Sequence, residues 1–404
     1  MSDVNIQEPI RDARELVLGK RLVLGLQHTF TMFGATVLVP IITGMDVSVA
    51  LFMAGVCTLL CHYITKKKVP VFLGSSFAFI APILAVVKLI SDNGGSDGLA
   101  YARGGLVVAG LIYLVIAALI YAFGADKVVS FFPPIVTGPI IMVIGLKLAP
   151  TAIDMASENW FLAIVSFLVV LIVTIFAKGF LQIIPIIIGL LIGYVVAIFT
   201  SNVEFQPILD ASWIGLPNFQ MAKFSLETIL MVAPLALATI VEHIGNIIAI
   251  GATVDDDFLE TPGLHRTMLA DGLCTSISAM FGGPANTTYA ENTGVLALTK
   301  VYDPLIMRIA AVFAIILGGI PKLAAIISTI PTAVVGGISI ILFGMIAAVG
   351  ARTLIENQVD FNKSKNLIIA AVILVLGLGG DAVPGGMALA AIIGIVLNKV
   401  LPEQ

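Results

Sequence analysis

Apolar residues in this chain neither alternate nor recur on one helical face. They run on in blocks, most of them about 18 to 22 residues long, the length of a helix that crosses a bilayer core. Short polar or Gly/Pro-marked breaks separate them. Apolar segments are expected near 22–43, 47–65, 70–87, 104–123, 131–149, 159–178, 181–200, 226–250, 267–282, 286–299, 304–320, 331–350, 366–380 and 386–401, fourteen in all. Two of them are irregular. The segments at 70–87 and 286–299 are short or open on β-forming sequence, "GSSFAF" from Gly74 to Phe79 and "NTTYAE" from Asn286 to Glu291. A span that begins as extended chain is tolerated in lipid only where protein buries it or it lines a cavity.

Composition agrees with the pattern. Hydrophobic residues make up 59% of the chain and charged residues 11%, with a mean hydropathy of +1.09. A soluble domain carries roughly 25% charged residues, and so much apolar surface has no aqueous home. The expectation is an all-α polytopic membrane protein, and a soluble enzyme is excluded. The net charge of −4 says little about partners; its distribution says more. Residues 1–21 are polar, lack the pattern of a cleaved signal peptide, and read as a cytoplasmic tail. With the N-terminus inside, only Lys88, Arg103, Lys147, Lys223 and Lys322 of the 21 Lys and Arg fall outside. That positive-inside bias puts both termini in the cytoplasm and the chain in the cytoplasmic membrane. Cys57, Cys61 and Cys274 all lie in apolar segments and read as packing residues.

The halves repeat one another weakly. "LQHTF" at Gln27–His28 parallels "VEHIG" at Glu242–His243, and "GSSFAF" parallels "NTTYAE". Pro133, Gly138 and Gly145 parallel Pro331, Gly337 and Gly344. Seven segments at 22–200 and seven at 226–401, joined by an outer loop at 201–225, would enter the membrane with opposite polarity. This is the inverted repeat of secondary transporters, whose broken segments meet near the midplane around the substrate. Paired glycines such as Gly189 and Gly193 read as sites of close helix packing.

Most acidic residues lie in loops: Asp92, Asp97, Asp255–Asp257, Glu356 and Asp360. Glu242 and Glu291 do not. A charge at the bilayer centre costs on the order of 3 kcal/mol or more, so such groups face cavities and mark substrate or proton paths. An ionised carboxylate only accepts hydrogen bonds. Two of them suit a neutral ligand rich in N–H groups, with a proton as coupling ion, and suit an anion badly. His243 adjoins Glu242, but one residue along a helix turns it by about 100°; core packing and proton relay stay equally open for it, and for His28 in the first half. The extended pieces 75–79 and 287–290 could pair as a ribbon with free backbone N–H groups at its ends. A planar ligand could sit there against Phe77 or Tyr289, facing the positive N-terminal ends of the helices that follow. There is no metal-ligand spacing and no nucleophile-elbow motif, so no cofactor, metal or nucleic acid is expected.

"ENTGVLALTK", Glu291 to Lys300, resembles the signature of the nucleobase-ascorbate transporter family. "LQHTFTMFGATVLVP" (Leu26–Pro40), "LGSSFAFIAP" (Leu73–Pro82), "EHIGN" (Glu242–Asn246) and "PGLHRTMLADGL" (Pro262–Leu273) resemble its bacterial uracil permease branch, over about residues 20 to 400. The resemblance implies fourteen segments in two inverted repeats. It implies a core domain of about 22–123 plus 226–320 and a gate domain of about 131–200 plus 331–401. It implies a homodimer and uracil–proton symport, with a purine such as xanthine or urate as the alternative substrate. A sulfate-type anion carrier shares the architecture but should lack acids in the pocket. By resemblance Glu242 and Glu291 would hydrogen-bond the base, Phe77 and Ala290 would offer backbone N–H groups, and Tyr289 would lie beside the ring. One position departs: Asn246 stands where the uracil permeases carry a proton-handling histidine. Asparagine could hold Glu242 by a hydrogen bond but cannot titrate, which leaves Glu242 alone, or His243, for the proton.

Overall fold

A computed structural model describes residues 8–379 and 386–402. Residues 1–7 of the expected tail, and the end of the thirteenth expected segment at 380, lie outside the described residues. Among the described residues the regular structure is helical but for one two-stranded ribbon and an isolated bridge. The first half holds α1 (Leu18–Thr43), α2 (Val47–Ile64), α3 (Ile80–Asp92), α4 (Gly98–Phe123), α5 (Pro134–Ser157), α6 (Trp160–Phe176) and α7 (Pro185–Phe199). The second holds α8 (Leu226–Val254), α9 (Leu264–Met280), α10 (Ala290–Thr299), α11 (Pro304–Gly318), α12 (Thr332–Glu356), α13 (Ser364–Leu378) and α14 (Gly386–Val400). Among the described residues six helices (α1, α2, α4, α5, α8 and α12) are long and apolar enough to cross a membrane alone, so the protein is multi-pass. The side chains of α6 that point away from the protein are apolar, among them Phe161, Ile164, Leu168, Ile172 and Ile175. Water would penalise such a face, and lipid does not.

Helix ends fall where capping chemistry allows. Gly44 takes a left-handed φ of 79° to close α1, and Asp46 starts α2 by accepting from the Val49 N–H at 3.0 Å. Asn159 and Asp303 cap α6 and α11 in the same way. Short helices that sequence reasoning did not separate lie at Ala125–Val129, Gln206–Asp210 and Pro321–Ser328, the last bent by 79° from α11.

The ribbon pairs β1 (Leu73–Ser75) with β2 (Asn286–Thr288) in antiparallel register, Gly74 opposite Thr287. The extended pieces are shorter and earlier than expected: a 3-10 turn already occupies Phe77–Phe79, and α10 begins at Ala290. Two strands inside a helical bundle leave two open edges, and a threonine satisfies each one. Thr58 of α2 accepts from the Leu73 N–H at 2.9 Å and donates to its carbonyl at 3.3 Å. Thr275 of α9 accepts from the Asn286 N–H at 3.2 Å and donates to its carbonyl at 3.0 Å. Unpaired backbone at this depth would cost several kcal/mol per group.

Helix packing obeys an exchange rule. The closest partnerships are α5 with α12, α4 with α9, and α2 with α11. Moving each helix seven places along turns α4–α9 into α11–α2 and leaves α5–α12 unchanged. Helices α1, α2, α4, α8, α9 and α11 pack chiefly among themselves around the ribbon, and α5, α6, α7, α12, α13 and α14 form a second group. Glycine permits these approaches. A Cβ on Gly110 would stand 2.4 Å from the Gly272 carbonyl, and one on Gly55 2.4 Å from the Ala311 carbonyl. Gly189 and Gly193 likewise press on Val170 and Val334. Of the matched glycines, Gly138 and Gly145 meet α12 closely, whereas Gly344 has nothing within 4 Å; Gly350 provides the reciprocal contact.

The two ends of the bundle are distinct. At one, Ile10 bridges Val301, Arg11 donates to the Val254 carbonyl, and Arg266 donates to the Ile64 carbonyl. At the other, the connecting loop docks on the start of α4, where Lys223 pairs with Asp97; that hydrogen bond raises the ammonium's pKa above the usual lysine value.

Candidate substrate site at the ribbon

The structure brings the expected residues of both halves to the ribbon. Glu242 is half-buried on α8, and its carboxylate accepts no hydrogen bond among the described residues. Glu291 is half-buried in the first turn of α10, with its carboxylate turned back toward its own N–H. The two lie within reach of each other's charge, although 48 residues of chain separate them. The residues that precede the helical pieces starting at Phe77 and Ala290 give them no side-chain cap. Phe77 is half-buried, and Ala290 is exposed at the head of α10.

Tyr289 faces the ribbon itself. Its ring is 3% exposed and lies across Gly74, where a Cβ would come within 2.4 Å of it. Its hydroxyl donates to the Ser75 carbonyl at 3.0 Å and accepts from Thr36 at 3.3 Å. Asn246 does not hold Glu242, as its place one turn along α8 suggested. Its amide donates to the Thr288 carbonyl at 2.9 Å, because β2 passes beside that face of the helix.

The two histidines are fully buried and tied to the second half's ribbon and half-helix. The amide of Asn292, next to Glu291, donates to the His28 Nδ1 at 3.1 Å and to its backbone carbonyl at 3.2 Å. His243 Nδ1 lies 3.1 Å from the Thr288 hydroxyl and 3.0 Å from Oδ2 of Asp271. Sequence reasoning missed Asp271. The signal was present, since it is an acid inside the apolar stretch 267–282, within the quoted "PGLHRTMLADGL". Cys57 and Cys274 are reduced, each Sγ near the other's backbone carbonyl at 3.4 and 3.2 Å, as packing residues would be.

Two carboxylate acceptors and two helix N-termini without a side-chain cap can together hold a neutral planar molecule that presents both N–H and C=O edges. A multi-pass helical chain with these polar groups gathered beside a buried two-stranded ribbon is built as a carrier rather than as an enzyme. A family model described as "Permease family" (Xan_ur_permease) matches residues 19–386. The chain is 45% identical over 399 residues to a probable uracil permease of Haemophilus influenzae, covering 95% of each. It is 41% identical to the uracil permease of Bacillus caldolyticus, covering 99% of this chain and 96% of that one. The chain belongs to this permease family, the nucleobase-ascorbate transporters. The transmembrane domain of the cyanobacterial bicarbonate transporter BicA shares its fold, with a TM-score of 0.64 at 16% identity over 95% of this chain and 99% of that one.

Proposed function

We propose that this protein imports uracil across the cytoplasmic membrane by proton symport, with the base held between the two broken segments. The observation that carries the reading is the pair of half-buried carboxylates, Glu242 and Glu291, beside two helix starts without a side-chain cap. Uracil presents N–H donors to the carboxylates and carbonyl oxygens to the N–H groups of Phe77 and Ala290. Tyr289 supports the ribbon behind the site. The relatives named as uracil permeases, at 41–45% identity over nearly the whole chain, support the substrate. An anion would meet two like charges, which speaks against the anion chemistry of the BicA neighbour.

The exchange rule in helix packing supports two inverted repeats of seven segments. The two packing groups support a core at about 22–123 plus 226–320 that moves against a gate at about 131–200 plus 331–401. Both termini lie in the cytoplasm in this reading. The working form is a homodimer.

The test is uptake of labelled uracil into proteoliposomes, with and without an inward proton gradient and with unlabelled xanthine as competitor. Gradient-driven uptake that xanthine leaves unaffected is expected, and block by xanthine would move the substrate to the purines. Hydrogen bonds to a charged group contribute about 1.5–3 kcal/mol each. Glu242→Ala and Glu291→Ala should therefore each weaken base binding by tenfold to more than a hundredfold. Near-wild-type affinity in either would sink the assignment of the site.

A further inference from the structure

Asp271 is 0% exposed, and neither of its oxygens receives a well-aligned hydrogen bond. Among the described residues its ion-pair neighbour is the His243 imidazole at 3.0 Å, itself 1% exposed and with Nε2 unpartnered there. A carboxylate in such a place is costly without a partner, so an added proton has a home between this oxygen and this nitrogen. Glu242 adjoins His243 in the chain and feels the charge of Asp271.

The symport reading above sets a constraint, and the present inference rests on it. An ionised glutamate offers the N–H groups of a base only acceptors, and a proton would turn one of its oxygens into a donor. A proton on Glu242 or Glu291 would therefore rearrange the hydrogen bonds to the base, whereas a proton held beside the site leaves them as they are. Asn246 cannot store a proton, and its amide is committed to Thr288. We infer that the buried pair His243–Asp271 holds the proton that moves with the base. One proton enters from the outer water and forms one N–H or O–H bond within the pair. That bond breaks toward the inner water after the base has left.

Thr288 gives the pair a mechanical link to the site. Its hydroxyl contacts His243 Nδ1, its carbonyl accepts from Asn246, and it ends the strand that leads through Tyr289 and Ala290 to Glu291. The other titratable groups that feel Asp271 are Glu242 on α8, Tyr113 on α4, Cys61 on α2 and Cys274 on α9. The Tyr113 ring meets the imidazole edge-on at a centroid distance of 6.4 Å.

The experiment compares wild type, Asp271→Asn and His243→Gln in proteoliposomes. It reads gradient-free exchange of labelled uracil, gradient-driven accumulation, and alkalinisation of a weakly buffered medium on adding uracil. Exchange in at least one variant should stay within about threefold of wild type, while its accumulation falls tenfold or more and its alkalinisation disappears. A merely structural role would lower all three together. Calorimetry of uracil binding to the unmodified protein, in buffers of different ionisation heat, guards against variants that do not fold, and a proton taken up per base is expected. Accumulation and alkalinisation that persist in either variant, parallel loss of all three readouts in both, or binding to wild type without proton uptake would overturn the inference. Absence of uracil exchange by wild type would instead overturn the transport reading itself.

Discussion

Gly74→Ala puts the smallest possible side chain at the centre of the ribbon. The new Cβ would stand 2.4 Å from Cε2 and Cζ of Tyr289 and 2.7 Å from its hydroxyl oxygen. The ring has no free direction in which to yield. It is buried, and its hydroxyl is held by the Ser75 carbonyl and Thr36. Overpacking of this kind costs about 1–3 kcal/mol, and loss of the tyrosine hydrogen bond adds about 1 kcal/mol. The sum is about 2–4 kcal/mol, divided between global stability and displacement of the half-helix starts. If half is felt at the site, uracil affinity falls about fivefold to thirtyfold. Thermal unfolding of the purified protein, with and without uracil, reads both parts. Tyr289→Ala removes the obstacle, so Gly74→Ala added to that background should cost under about 1 kcal/mol, a coupling expected of residues in contact. An equal cost in both backgrounds, or a single variant with native stability and affinity, would refute the account of the ribbon.

Three further outcomes follow from other positions. Asn246→His places a titratable ring one helical turn from Glu242; uracil uptake should shift along the pH axis while the preference for uracil over xanthine stays unchanged, and a change of preference would assign position 246 to the base. Gly110→Ala forces a Cβ to 2.3 Å from the Ser276 Oγ and 2.4 Å from the Gly272 carbonyl, so α4 and α9 must part and the folded yield from detergent should collapse; Gly344→Ala, with nothing within 4 Å, should leave yield intact and raise stability by up to about 1 kcal/mol.

Sequence alone determined what depends on local chemistry and on the bilayer. Apolar blocks of spanning length have one stable home, so the multi-pass helical class was legible without coordinates. Glu242 and Glu291 stood out because an isolated acid in an apolar block is costly, and the β-formers at 75–79 and 287–290 pointed to the neighbourhood of the ribbon, which begins slightly earlier at Leu73 and Asn286. Their roles came only as what the resemblance implies. Other features depend on which distant segments touch, and only the tertiary structure decided them. Thr58 and Thr275 each look like an ordinary helix residue until a strand edge lies against it. Asn246 could as well have held Glu242, and β2 running past α8 is what gives its amide to Thr288 instead. Tyr289 reads as a ligand platform in sequence, and the missing side chain of Gly74 is what draws its ring behind the ribbon. Asp271 and His243 sit on different helices, α9 and α8, in a ladder of helices drawn close by glycine. A buried pair of this kind is a property of packing, because neither residue alone signals which partner will reach it in the dry interior.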